Sequence, residues 1–303
     1  MIASGRTPTG WSGSFPGWLS WGTHHGRDAA TTTRSSVSTT PTPAGQTADS
    51  RASSQVSVQL YTVREALADD VAGTVARLAA LGFASVEPFG PLALSDELAS
   101  ALAEHDIAAP TMHQRFVGSD DDALDALFAA AAARGTRTVI DPFTPPDRWG
   151  TREDVEAVAA ELAAAAAVAA RHGVRVGYHN HAHELQSVLD ATTAFEVLAQ
   201  RLAEVAPEVV LEVDTYWVAV GGQDPVALLQ RLGDQVVALH LKDGPATADV
   251  LDQVALGRGS LPVAEIVAAA PSALRVIELD DSRGDRFTAV ADGLAHLRAE
   301  GLA

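Results

Sequence analysis

Cysteine is absent from the 303-residue chain, which excludes disulfides, thiolate metal sites and a cysteine nucleophile. Lysine is almost absent, because 20 of the 21 basic residues are arginine and the exception is Lys242. Positive charge as a whole is scarce: 39 acidic residues give a formal charge of −18. Nucleic-acid phosphates need a basic face, so that class of partner is disfavoured. No apolar run approaches the ~18 residues of a bilayer span, and the alanine-rich stretch within 157–170 is too short. What is present is 47% apolar residues against 20% charged ones, enough to bury a large core. A cytoplasmic enzyme acting on small molecules, with no membrane partner, is the expectation.

Residues 1–54 differ from the rest. They are rich in Ser, Thr, Gly and Pro, and Thr31-Thr32-Thr33-Arg34-Ser35-Ser36 shows no apolar period. Such a segment buries too little surface to offset its ordering entropy, so it reads as a disordered extension. Trp11, Trp18 and Trp21 run against that reading. It has neither an apolar run behind a basic start nor a twin arginine, so it does not read as a signal peptide. Residues 55–303 hold 17 basic and 37 acidic groups, so the acidity belongs to the folded part.

From Val56 onward, β-branched runs alternate with amphipathic stretches. The runs at 56–61, 84–87, 108–113, 137–141, 174–179, 209–214, 236–240 and 275–278 start 24–39 residues apart, the spacing of βα units rather than hairpins. Leu67, Val71, Val75 and Leu78 share one helix face. Ser119–Asp122 and Thr151–Asp154 read as capping boxes, and Gly135 and Gly173 end the helices they start. Asp224-Pro225 is an N-cap followed by proline at the first helical position. Eight such units in about 250 residues predict an α/β fold, a (β/α)8 TIM barrel. A doubly wound open sheet is the alternative, but no strand is followed by a glycine fingerprint.

In such a barrel the reactive groups lie at the C-terminal ends of the strands. The fifth run ends Tyr178-His179-Asn180-His181, and period-two alternation puts His179 and His181 on one face. The next three end in Asp214, His240 and Glu278. Two imidazoles and two carboxylates at one rim suit one divalent metal ion of mixed N/O preference: Mn, Co, Zn or Mg. A lone strand-end acid or histidine is more often a cap or an ion-pair partner; the four together favour a metal. Glu87, His113 and Asp141 are weaker candidates for lining the pocket. Lys242, two residues beyond His240, can hold an anionic or enolate oxygen. The plainer reading is an exposed lysine paired with Asp243.

With these residues in hand, the chain resembles the sugar phosphate isomerase/epimerase superfamily, the xylose-isomerase-like TIM barrels. The likeness spans most of 56–300 and is carried by Val58-Gln59-Leu60-Tyr61-Thr62-Val63-Arg64, Tyr178-His179-Asn180-His181, Val213-Asp214-Thr215-Tyr216-Trp217, His240-Leu241-Lys242-Asp243 and Gly257-Arg258-Gly259. It implies one metal held by His179, Asp214, His240 and Glu278. The last three match the superfamily's ligand types, whereas His179 stands where ketose epimerases carry a glutamate that also moves a proton. Trp217 stands where some epimerases have a substrate-binding histidine. Strand ends, strand parity and the resemblance together point to His181, Glu278 and Lys242 as catalytic groups and to Glu87, His113, Glu184, Trp217 and Arg258 as substrate contacts.

The implied reaction is sugar isomerisation or epimerisation by α-proton abstraction beside a carbonyl, through an enediolate, on a small sugar or sugar derivative. If a β-leaving group departs, the same site gives a dehydratase or lyase of keto-sugars or oxidised glycosides. A rival of another class is a barrel that binds a sugar or metal without turnover. An apurinic endonuclease, which uses a related barrel, is disfavoured by the acidity. A homo-oligomer is compatible with all of these.

Overall fold

A computed structural model describes residues 55–303, so the disorder expected for 1–54 lies outside the described residues. Nine strands are formed among the described residues: β1 (Val56–Val58), β2 (Thr111–His113), β3 (Thr138–Asp141), β4 (Arg175–His179), β5 (Val188–Leu189), β6 (Thr192–Thr193), β7 (Val210–Asp214), β8 (Val236–Leu241) and β9 (Leu274–Ile277). Seven of them make one sheet in the order β1-β9-β8-β7-β4-β3-β2, with every pairing parallel. The run expected at 84–87 fills the remaining gap through parallel bridges Gln59↔Glu87, Ser85↔Ala108 and Phe89↔His113. The backbone bonds Glu87 N to Val58 O (2.8 Å) and Val86 N to Ala108 O (2.9 Å) stitch it to both neighbours. Pro88 has no N–H for a ladder, which fits bridges rather than a continuous strand. The ring is thus closed by eight parallel segments.

Helices 71–81, 96–104, 121–133, 152–169, 194–205, 225–232, 263–269 and 286–299 each precede the next segment of the ring or follow the last. Their apolar faces, among them Val75, Leu78, Val155, Leu162, Leu198, Leu202, Val290 and Leu297, are buried in the core around the sheet. Three expectations are adjusted locally. The face Leu67–Leu78 is buried, but Asp70 splits its helix by accepting from Gly73 N at 2.9 Å and capping a new one. Asp120, not Ser119, caps 121–133 through Ala123 N. An antiparallel hairpin, β5–β6, turns at Asp190 and Ala191, both at positive φ, where no strand was expected. Thr151–Asp154 forms its capping box, and Asp224 caps the helix begun by Pro225.

Inside the ring, space is tight below the mouth. A Cβ on Gly177 would come within 2.9 Å of Ile140 Cγ1, so any other residue there forces the Ile140 side chain to shift. Among the described residues no helix is long and apolar enough to cross a membrane.

Candidate active site

Parallel strands in register carry their inward side chains to the same height. On β7 the alternation that turns Asp214 inward also turns Glu212 inward, and β8 delivers His240 opposite Asp214. The outcome is a buried polar cluster across the ring. Glu212 Oε2 lies 2.5 Å from His113 Nε2, 3.0 Å from His179 Nδ1 and 3.1 Å from His240 Nε2. Glu87 Oε1 lies 2.7 Å from His240 Nε2, 3.1 Å from His113 Nε2 and 2.8 Å from the amide nitrogen of Gln59, which donates to it. His240 Nδ1 lies 2.5 Å from Glu278 Oε2. The Lys242 ammonium reaches Asp214 Oδ2 (2.8 Å), Glu278 Oε2 (2.9 Å) and Asp280 Oδ2 (2.7 Å). Lys242 is buried, so it is not an exposed lysine paired with Asp243. Asp243 instead accepts the backbone N–H groups of Gly244, Gly257, Gly259 and Leu261, fixing the following loop.

The charge states follow from these contacts. Burial opposes charge on His113 and His240, but Glu87 and Glu212 around the first, and Glu212 and Glu278 around the second, outweigh it and raise both pKa values. Burial lowers His179 to about 3, aided by the charge on His240. Its Nδ1 hydrogen therefore points at Glu212, and its Nε2 lone pair faces the side of Asp214, whose Oδ2 is 3.8 Å away. Burial likewise holds His181 well below the usual imidazole value, with His179, His183 and Lys242 adding to the effect. Burial also opposes the ammonium of Lys242, but Asp214, Asp280 and Glu278 together raise its pKa well above the ordinary lysine value.

The expected ligand quartet is divided between two overlapping sets, with His179 in one and Asp214 and Glu278 in the other. Asp214, His240 and Glu278 offer ligand atoms within 4.8 Å of one another, and so do His113, His179, Glu212 and His240. His240 belongs to both. The donor chemistry fits a divalent cation: mixed imidazole and carboxylate, with Glu87 Oε2 and Glu212 Oε1 buried and without hydrogen-bond partners. At the rim, His181 stands beside His179 with ring centroids 5.2 Å apart, and packs near Phe143 (5.4 Å) and Trp217 (6.0 Å). Trp217 is buried, its indole N–H has no partner, and its ring lies 5.8 Å from Lys242 Nζ.

Glu87 and His113, weak candidates from the sequence, sit at the centre of the cluster. Glu184 does not join it: it is buried behind the rim, accepting from the Tyr178 hydroxyl (2.8 Å) and His181 N (2.9 Å), so it orients the strand end. Nor does Arg258, which is exposed and lines a surface depression with Asp292 and His296. Asp141 accepts the N–H groups of Phe116, Val117 and Phe143 and fixes two rim loops. Glu212, Asp280 and Gln59 were not singled out from the sequence. Parity with Asp214 could have found Glu212, whereas Asp280 lies beyond its strand where no period applies.

The family described as xylose isomerase-like TIM barrel matches residues 75–299. No functionally curated protein matches the chain in sequence. A sugar phosphate isomerase/epimerase from Parabacteroides distasonis superposes with a TM-score of 0.69 at 22% identity, covering 86% of this chain and 99% of that one. A probable 3-DHS dehydratase from Bacillus anthracis gives 0.64 at 14% identity, over 80% and 98% of the two chains. A D-allulose 3-epimerase from Methylomonas sp. gives 0.59 at 14% identity, over 80% and 96%. These identities establish a shared fold.

Proposed function

The chain belongs to the xylose isomerase-like TIM barrel family, and from that premise we propose that it is a divalent-metal-dependent sugar isomerase or epimerase. The observation that carries the reading is a half-buried imidazole, His181, standing beside His179 at the rim of a cluster of carboxylates and imidazoles suited to a cation. His179, Asp214, His240 and Glu278 would hold the ion. When bound, a divalent cation there polarises a substrate carbonyl and offsets the negative charge left by removal of the α-proton. His181 takes that proton, because it stands at the rim beside His179 and between Phe143 and Trp217, within reach of a substrate held there. The Lys242 ammonium, 5.8 Å from the Trp217 ring, would steady the developing oxyanion. Phe143 and Trp217 give the carbon face of a sugar an apolar wall, and the unpartnered indole N–H offers a donor to one hydroxyl.

Burial opposes ionisation of Glu278, but Lys242 and His240 hold its pKa well below the ordinary carboxylate value. Its Oε2 is already engaged by His240 Nδ1 and Lys242 Nζ, which leaves His181 as the base on one face. One-sided proton removal followed by loss of a β-substituent is the second reading, a dehydratase or lyase of a keto-sugar. The similar fold of the probable dehydratase is consistent with it.

The test is His181→Ala. Bound metal should stay near stoichiometric and the melting temperature near its original value, while α-proton exchange in deuterated water drops by roughly 10²–10⁴, the usual contribution of a general base. A screen of aldoses, ketoses and 3-keto-sugars with Mn²⁺ supplies the substrate. Unchanged exchange in the variant moves the base elsewhere.

A further inference from the structure

Lys242 is bound like an ion. Its nitrogen sits 2.7–2.9 Å from three carboxylate oxygens on two segments besides its own, the distances of charge-assisted hydrogen bonds. Two of those carboxylates, Asp214 and Glu278, belong to the expected metal quartet. Their oxygens Asp214 Oδ2 and Glu278 Oε2 therefore face an ammonium already present in the chain. The third carboxylate, Asp280, lies outside the quartet and is rigidly held: Asp280 Oδ2 accepts from Gln253 Nε2 at 2.7 Å and Asp280 N donates to Gln253 Oε1 at 2.7 Å. Gln253 is itself fully buried, and its carbonyl accepts from Ser282 Oγ at 2.8 Å.

An ammonium and a divalent ion on the same carboxylate oxygens repel each other in a buried site, so each weakens the other's hold. Metal–oxygen bonds of about 2.0–2.2 Å would bring the ion still closer to those oxygens than the ammonium is. Lysine has a flexible stem, and Asp280 offers it a charge partner that metal loading does not claim.

We infer that Lys242 is a resident cation competing with the divalent metal for Asp214 and Glu278, and that Asp280 is a positioning residue that keeps its ammonium when the metal binds. The inference rests on the metal-dependent reading above. It makes the metal site self-limiting: the chain carries its own counter-charge, stays compensated without metal, and admits an ion only at the expense of two lysine contacts.

The experiment is calorimetric titration of the full chain with MnCl₂ after chelator treatment, for the original protein, Lys242→Met, Asp280→Asn and the double variant. Lys242→Met should bind Mn²⁺ at least tenfold more tightly, and its metal-free melting temperature should fall while the Mn²⁺-loaded one recovers. Asp280→Asn should weaken binding several-fold in the original chain but have no such effect once Lys242 is gone, because it acts through the ammonium. Equal weakening in both backgrounds would show Asp280 acting only as a charge and would overturn its assigned role. If Lys242→Met does not fold, Lys242→Gln, which keeps a hydrogen-bond donor, replaces it with the same expectation. Binding by the original chain that is unchanged or weakened in the lysine variants overturns the inference and leaves the metal reading intact. No Mn²⁺ binding by any variant overturns both.

Discussion

Glu212 serves three imidazoles through one oxygen, Oε2, while its other oxygen has no hydrogen-bond partner. It balances the charges of His113 and His240 and fixes the tautomer that leaves His179 Nε2 free to coordinate. Glu212→Gln should therefore destabilise the chelator-treated protein by about 3–5 kcal/mol, the range for leaving a buried charge unpaired. Urea unfolding measures it, and a loss below about 1 kcal/mol would mean the carboxylate is replaceable by any acceptor. This residue also marks the limit of what the sequence made visible at the site. His179, Asp214, His240 and Glu278 were legible because each ends an apolar run, and Lys242 because it is alone. Glu212 lies inside its run, where an acid among Leu211 and Val213 reads as an interruption until parity with Asp214 is applied. Arg258 was misleading in the other direction: a motif places a residue near a rim loop, but only the path of that loop, fixed by Asp243, decides that the guanidinium faces outward.

At the scale of elements, the βα rhythm was legible because each helix and strand carries its own apolar period. The closing segment at 84–87 was expected as a strand and is present as bridges, since Pro88 directly after so short a run limits the ladder. The β5–β6 hairpin escaped notice because strands of two residues have no period to detect, and its turn uses Asp190 and Ala191 rather than glycine. Ser119 and Asp120 are adjacent N-cap residue types, and which one caps is settled by a single backbone bond. What no pattern could show is the close approach inside the ring at Gly177. Gly177→Ala should cost about 1–3 kcal/mol, the typical range for overpacking, because Ile140 must move to admit the methyl group. A double variant, Gly177→Ala with Ile140→Ala, which removes Cγ1, should lose less in a thermal melt than the two single variants added together. Equal stability of Gly177→Ala and the original chain would show that the ring has slack at this level.

For the molecule as a whole, the 37 acidic groups of residues 55–303 create a field that attracts cations, and the largest concentration of buried carboxylate lies inside the barrel. Without metal, that charge is met by Lys242 and by protons on His113 and His240. Both histidines have raised folded pKa values. The unfolded chain releases these protons as pH passes the ordinary imidazole value of about 6.5, while the folded chain keeps them to higher pH. Their contribution to stability is therefore fully present below about pH 6.5 and is lost as pH rises through the folded values. His179 and His181, with lowered values, have the opposite sign, but their window lies below about pH 6.5 and leaves the alkaline limb unaffected. The melting temperature of the chelator-treated protein should accordingly fall as pH rises above about 6.5. A divalent ion bound by His240 and the carboxylates must displace a proton, so its stabilisation should grow over that same range. Thermal melts with EDTA and with Mn²⁺ across the interval test both statements. A metal-free melting temperature that is flat or rising would show that His113 and His240 are not carrying the charge that holds the empty barrel together.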